Sequence, residues 1–186
     1  MFSISEFLVA HRRSPLGIDE IKPRFSWILV SDKQDVMQTA YQISICTDFG
    51  AVWETGRVEN YQSVAIVYDG AALQPQTLYT ATVQVWANTG ETAATQTAFE
   101  TGMMDNTKFT AKWITATLPN EETACPVFVK KFNIHKQVVK GRLYASACGI
   151  YDVMLNEKKV GNIFLHRVGR TIKNISNTNH TILHPC

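Results

Sequence analysis

A repeated two-residue alternation of apolar and polar side chains constrains this chain more than any other feature. It runs through "FSWILV" (Phe25 to Val30), "AYQISICT" (Ala40 to Thr47), "SVAIVY" (Ser63 to Tyr68) and "LYTATVQVWA" (Leu78 to Ala87), all rich in β-branched and aromatic residues. "TAFETG" (Thr97 to Gly102) supplies a further strand, and "SDKQD", "TDFG", "YDGAA" and "ANTGE" supply turn formers between the runs. Neighbouring side chains on a strand point to opposite faces, so each run has one face to bury and one to wet. Short strands at this spacing, with no helix-period segment between them, predict an all-β chain built on an antiparallel sandwich.

A second series of strand-like runs begins at "AKWITA" (Ala111 to Ala116). It continues through "PVFVKKFNI" (Pro126 to Ile134), "GRLYASACG" (Gly141 to Gly149) and "IYDVMLNEKKVG" (Ile150 to Gly161). Asn156 and Glu157 fall where a hairpin should turn, between "YDVML" and "KKVG". Three or four strands leave edges and an apolar face uncovered, so this second β-sandwich reads as incomplete. The organisation expected is an N-terminal segment over 1–13 and a sandwich over 14–102. A linker over 103–110, the incomplete second sandwich over 111–165 and a tail over 166–186 follow.

Composition excludes several functions. The formal net charge is +2, from 18 basic and 16 acidic residues, so no polyanionic partner such as nucleic acid is indicated. "HRRS" (His11 to Ser14) and "VKKF" (Val129 to Phe132) are short basic clusters that read as solvated surface. Cys46, Cys125, Cys148 and Cys186 are too scattered for a zinc site, and the two within strand-like runs, Cys46 and Cys148, are expected to be small buried hydrophobes. No metal and no cofactor is expected. "MFSISEFLVAHRRS" lacks the layout of a signal peptide, and no apolar run approaches the roughly 20 residues of a membrane span, so the sequence as written reads as cytoplasmic.

The most specific local pattern is "LQPQTLYTATVQVW", in which Leu73, Pro75, Thr77 and Tyr79 form L-x-P-x-T-x-Y ahead of Val83 and Val85. Leu73 would plug the sandwich edge and Pro75 would stiffen the corner. Tyr79 would bury its ring while its hydroxyl bonds nearby backbone. This resembles the corner before the sixth strand of fibronectin type III domains, over about residues 14 to 102. Further pieces follow in order: "SPLGID" (Ser14 to Asp19), "PRFSW" (Pro23 to Trp27), "QTAYQI" (Gln38 to Ile43), "VWETGRV" (Val52 to Val58), "AKWI" and "GRLYASACGIYDVMLNEKKVG". Together they resemble the amino-terminal region of bacterial α-L-rhamnosidases, the family 78 glycoside hydrolases.

That resemblance implies a fibronectin-like module followed by the start of a jelly-roll-like β domain. The helical barrel with the family's catalytic carboxylates would lie downstream, so no catalytic residue is assigned here. Glu121 and Glu122 are adjacent in "PNEETACP", whereas a glycosidase pair needs about 5 to 10 Å of separation across a cleft. For the parent enzyme the resemblance implies hydrolysis of terminal α-L-rhamnose, with a periplasmic or secreted location open to it.

The segment "LHRVGRTIKNISNTNHTILHPC" departs from this pattern, losing both the alternation and the aromatics. Back-translated with permitted codons and shifted by two bases, its start reads "PGWTDYKKYLQYQ", which is similar to the family's continuation. The residues from about His166 onward are therefore expected to come from a shifted frame and to be disordered or poorly packed. The sequons at Asn174 and Asn179 carry little weight without an export signal.

The leading expectation is a non-catalytic fragment whose modules act as scaffold and as packing surface for the missing catalytic domain. The alternative is a stand-alone carbohydrate-binding or protein-interaction module. Trp53, Trp86 and Trp113, with Tyr61 and Tyr68 behind them, are the candidates for stacking on the sugar rings of rhamnose-containing glycans. Trp27 reads as core. Trp86 follows the inward Val83–Val85 pair and so points to the opposite face.

Overall fold

Two sheets face each other across the first part of the chain, and their make-up follows the alternation. The computed structural model describes residues 1–105, 110–117, 125–139, 141–148 and 150–160, and the backbone of Thr171–Ile175. The chain divides into two compact units, Met1–Thr110 and Ala111–Cys186.

In the first unit, strands β1 (Phe2–Val9), β3 (Arg24–Ser31) and β6 (Ile66–Val67) form one sheet in that order. Strands β2 (Leu16–Ile18), β8 (Thr92–Thr101), β7 (Leu78–Ala87), β4 (Gln38–Thr47) and β5 (Gly50–Glu54) form the other, in the order β2-β8-β7-β4-β5. Every pairing is antiparallel except β2 with β8. The unit is an all-β sandwich.

Inward positions build its core. Phe25 and Trp27 from β3 meet Tyr41, Ile43 and Ile45 from β4, Tyr79, Val83 and Val85 from β7, and Phe99 from β8. Phe25 and Phe99 meet edge to face at 6.3 Å, and Trp27 lies 5.3 Å from Tyr41. Each such side chain, fully buried, contributes about 1.5–3 kcal/mol of transfer free energy. The Trp27 indole N–H would be stranded in this core, but it donates to Gln38 Oε1 at 2.8 Å.

Strand β1 extends the module back into residues 1–13, expected to be a separate N-terminal segment. It pairs with β3 from Phe2 to Val9, with a register shift between Ile4 and Glu6. The extra residue changes the phase of the alternation. Phe2 and Ile4 occupy even positions, whereas buried Phe7 and Val9 occupy odd ones, so no single period-2 pattern covers the strand. Strand β6 is shorter than "SVAIVY" suggests, and Ala65, with φ of 57°, breaks the extended run just before it.

At the corner, the Gln74 N–H donates to the Tyr79 hydroxyl at 2.7 Å, and Leu73 is buried beside it. Thr101 ties the end of β8 to the same turn. Its hydroxyl donates to the Gln74 carbonyl at 2.6 Å and accepts the Thr77 N–H at 2.9 Å. Pro75 is half-buried, and its carbonyl accepts the Thr77 hydroxyl at 2.9 Å.

Tyr68 is buried with its hydroxyl donating to the Ala71 carbonyl at 2.6 Å. Burial first, and the neighbouring Tyr79 second, push its pKa above the ordinary tyrosine value of 10.0, and burial does the same for Tyr41. A raised acid pKa favours the folded protein fully below the unfolded value and loses that contribution as pH rises through the folded one. Stability should therefore hold up to about pH 10 and fall above it. Urea melts across pH 8 to 11.5 check this, and a stability that rises over that range would contradict it.

In the second unit, β9 (Gly141–Ala145) pairs antiparallel with β12 (Thr171–Ile175), while β10 (Met154–Leu155) and β11 (Lys158–Lys159) form a hairpin. Its two turn residues, Asn156 and Glu157, have φ of 50° and 63°, the left-handed pair of a type I′ turn. Glutamate is a poor choice for the second position, where left-handed backbone costs a side-chain-bearing residue about 1 kcal/mol. Glu157→Gly should raise the melting free energy of this unit by about that amount. Thermal unfolding of the variant measures it, and an unchanged or lower midpoint would count against the turn assignment.

Several expectations are corrected here. No strand forms over residues 111–117 or 125–139, where "AKWITA" and "PVFVKKFNI" predict one. Alternation selects a face, but a strand also needs a partner ladder, and among the described residues nothing pairs with these segments. Val127, Val129, Phe132 and Ile134 are exposed as a result. Cys46 and Cys148 are exposed rather than buried. On β4 the inward set is Tyr41, Ile43 and Ile45, which turns Cys46 to the outer face. Within the segment expected to be an unpacked tail, the backbone of Thr171–Ile175 stands in a strand, and the remaining residues from His166 lie outside the described residues.

Candidate functional site

The outer face of the five-stranded sheet is set by register. Ala40, Gln42, Ser44 and Cys46 on β4 stand opposite Trp86, Gln84, Thr82 and Thr80 on β7. Those four in turn stand opposite Thr92, Ala94, Gln96 and Ala98 on β8. The result is a block of four positions on each of three strands, and none carries a charge. On an ordinary surface about a quarter to a third of such positions are charged. Seven of the twelve instead carry a hydroxyl or amide group.

A charged rim borders one side. An isolated bridge between Tyr41 and Val58 continues the sheet beyond β4, with hydrogen bonds of 3.0 and 2.8 Å. Val58 packs inward, so Arg57 and Glu59 on either side of it face outward. Arg57 crosses β4 and places its guanidinium carbon 4.7 Å from the centroid of the Trp86 ring, within cation–π range. Its Nε donates to Glu59 at 2.8 Å. Ala40, the β4 partner of Trp86, is fully buried. Gln42 donates to Glu54 on the next strand.

The loop beyond this rim is anchored from within. Gln38 Nε2 donates to the carbonyls of Asn60 and Gln62, both at 3.0 Å, while its Oε1 holds the Trp27 N–H. One buried amide therefore links the core tryptophan to the loop of Glu59 to Gln62, which lines a shallow open depression. Tyr61 projects from that loop 80% exposed.

The five candidate aromatics have different fates, and Tyr68 is a buried core ring with its hydroxyl bonded to the Ala71 carbonyl. Trp86 lies half-buried on the outer face under Arg57, and Tyr61 stands on the adjoining loop. Trp53 is partly buried and packs against the core, 4.9 Å from Tyr68 and stacked at 6.3 Å on Phe25. Trp113 belongs to the second unit and is 71% exposed. Arg57, Glu59, Gln42 and Gln84 were not singled out in the sequence. The alternation of "GRVE" around Val58 is the one local signal for the first two, and it means nothing until Val58 is known to pair with Tyr41. Glu121 and Glu122 lie outside the described residues, and among the described residues no three His, Cys, Asp or Glu gather into a group that could hold a metal.

The Ig-like sandwich with its tyrosine-pinned corner agrees with comparison to known proteins. The model of the Rha78A-like, N-terminal immunoglobulin domain matches residues 4–105, and the chain belongs to that family. Among individual proteins, it is 34% identical over 121 residues to an α-L-rhamnosidase of Streptomyces avermitilis, covering 61% of this chain and 12% of the enzyme. It is 26% identical over 186 residues to an α-L-rhamnosidase of Formosa agariphila, covering 83% of this chain and 20% of the enzyme. In structure it is similar to the α-L-rhamnosidase of Dictyoglumus thermophilum, with a TM-score of 0.85 at 26% identity over 98% of this chain and 25% of that one. The chain thus spans between an eighth and a quarter of the length of these relatives, in the region that holds their N-terminal domains.

Proposed function

We propose that this chain is a non-catalytic accessory portion of an α-L-rhamnosidase-like glycosidase, whose whole form removes terminal α-L-rhamnose from glycans. The observation that carries this reading is the match of residues 4–105 to an N-terminal domain of such enzymes, within a chain that spans 12–25% of their length. The outer face supports it as well. It offers hydrogen-bonding groups and one aromatic ring, while its rim carboxylates are engaged, Glu59 by Arg57 and Glu54 by Gln42. Glycoside hydrolysis needs two carboxyl groups facing each other across the scissile bond, one of them able to give up a proton. The accessory portion would then position and orient while the catalytic pair is supplied elsewhere.

The direct test is hydrolysis of p-nitrophenyl α-L-rhamnopyranoside by this chain alone and by the chain joined to the remaining length of a close relative. Turnover by the joined protein only is the expected result. Turnover by this chain alone, at a rate abolished by changing a carboxylate within it, would overturn the reading.

A further inference from the structure

We infer that the uncharged block on β4, β7 and β8, together with its Arg57–Glu59 rim, binds a neutral oligosaccharide. The ligand class deepens the accessory-glycosidase reading and rests on it, while the location rests on the sheet register alone.

Three observations carry the argument. The block consists of threonine, serine, glutamine, alanine and one cysteine, with a single tryptophan in its end row, so it can exchange neutral hydrogen bonds and repels nothing by charge. A polyanion would need a basic field, and the single cation at this face is committed to Glu59. A protein partner would call for an apolar centre, since interface cores are about two-thirds apolar and rich in large side chains. Here the central pairs are Gln42–Gln84 and Ser44–Thr82.

The rim is built to receive hydroxyl groups. Arg57 rests on the Trp86 ring and pairs at Nε with Glu59, which leaves the N–H groups of its terminal nitrogens to donate. The planar guanidinium fork loses less conformational entropy per hydrogen bond formed than a flexible ammonium would. The Gln38 anchor ties the adjoining loop at the carbonyls of Asn60 and Gln62, on either side of the exposed Tyr61.

The test is a titration of the isotopically labelled full chain, read by NMR at the side-chain amides of Gln42, Gln84 and Gln96. Methyl α-L-rhamnopyranoside, cellohexaose and a sulfated heparin hexasaccharide serve as probes, up to about 10 mM, well above the millimolar affinity of a weak site. The expected result is saturable movement of these amides with a neutral probe and none with the sulfated one. Gln84→Ala should weaken binding about tenfold, the equivalent of about 1.4 kcal/mol. Thr82→Val, which keeps shape and removes one hydroxyl, should weaken it in the same direction with the fold unchanged.

Silence of all three amides toward both neutral probes would overturn the inference. So would unchanged binding in both variants, or binding of the sulfated probe in place of the neutral ones. Protection of the same amides by the joined downstream chain, with no response to sugar, would overturn it in favour of a protein contact. Failure here leaves the accessory reading to its own assay. Binding of cellohexaose without the rhamnoside would keep the site and detach it from rhamnose.

Discussion

Replacing Gln38 by leucine is expected to destabilise the first unit by about 3 kcal/mol, because three polar groups lose a partner together and each costs about 1 kcal/mol or more. The Trp27 indole N–H is the most deeply placed of them, in a ring 2% exposed, and the carbonyls of Asn60 and Gln62 are the others. Leucine fills the volume, so the loss is one of hydrogen bonding and not of packing. Urea unfolding followed by tryptophan fluorescence gives the size of the effect. Amide exchange gives its location, since the loop of Glu59 to Gln62 should open faster than the rest of the sandwich. A change under 1 kcal/mol would mean that water replaces Gln38 at little cost, and the anchoring of the loop would go with it.

Gly70→Ala is expected to cost about 2 to 3 kcal/mol by overpacking. A methyl group there would lie 2.5 Å from the Tyr68 hydroxyl oxygen and 2.7 Å from Trp53 Cδ1. Neither ring can withdraw easily. Tyr68 is held by its hydrogen bond to the Ala71 carbonyl, and Trp53 is held between Tyr68 and Phe25. Gly90→Ala is the useful contrast, since open space surrounds that position although its φ is 81°, so any loss there comes from backbone strain alone. Equal midpoints for wild type and Gly70→Ala in thermal melts would show that the aromatic cluster around Trp53 is loose.

Gly70 also shows why Trp53 could not be placed from sequence. The pattern "VWETG" marks a tryptophan on a strand but not which side of the strand it faces. Its inward direction follows from pairing with Ile45 and from the bulge between Ile45 and Cys46. The same limit applies at the outer face. Strand β7 and the Tyr41–Ile45 part of β4 were legible because each carries a period-2 pattern, and with them the outward direction of Trp86. Which outward residues become neighbours depends on register, a long-range property fixed by the Gln42–Gln84 and Ser44–Thr82 pairs. Arg57 belongs to the site only because Val58 bridges to Tyr41, some seventeen positions away in the chain. Strand β1 was hidden by its bulge. The corner was legible because L-x-P-x-T-x-Y places its plug, its stiff turn and its hydroxyl within seven residues, so one local segment carries the whole geometry.

The parallel pairing of β2 with β8 has a mechanical consequence. The Glu100 N–H donates to the Pro15 carbonyl at 2.9 Å, and the Gly102 N–H donates to the Ile18 carbonyl at 2.7 Å. Tension along the chain draws the start of β2 one way and the end of β8 the other, so these bonds are loaded in shear and must give way together. Strand β1, antiparallel to β3 at a sheet edge, can peel one bond at a time. Under force the module should therefore yield in two stages, a soft release of the first strand and then a stiff clamp.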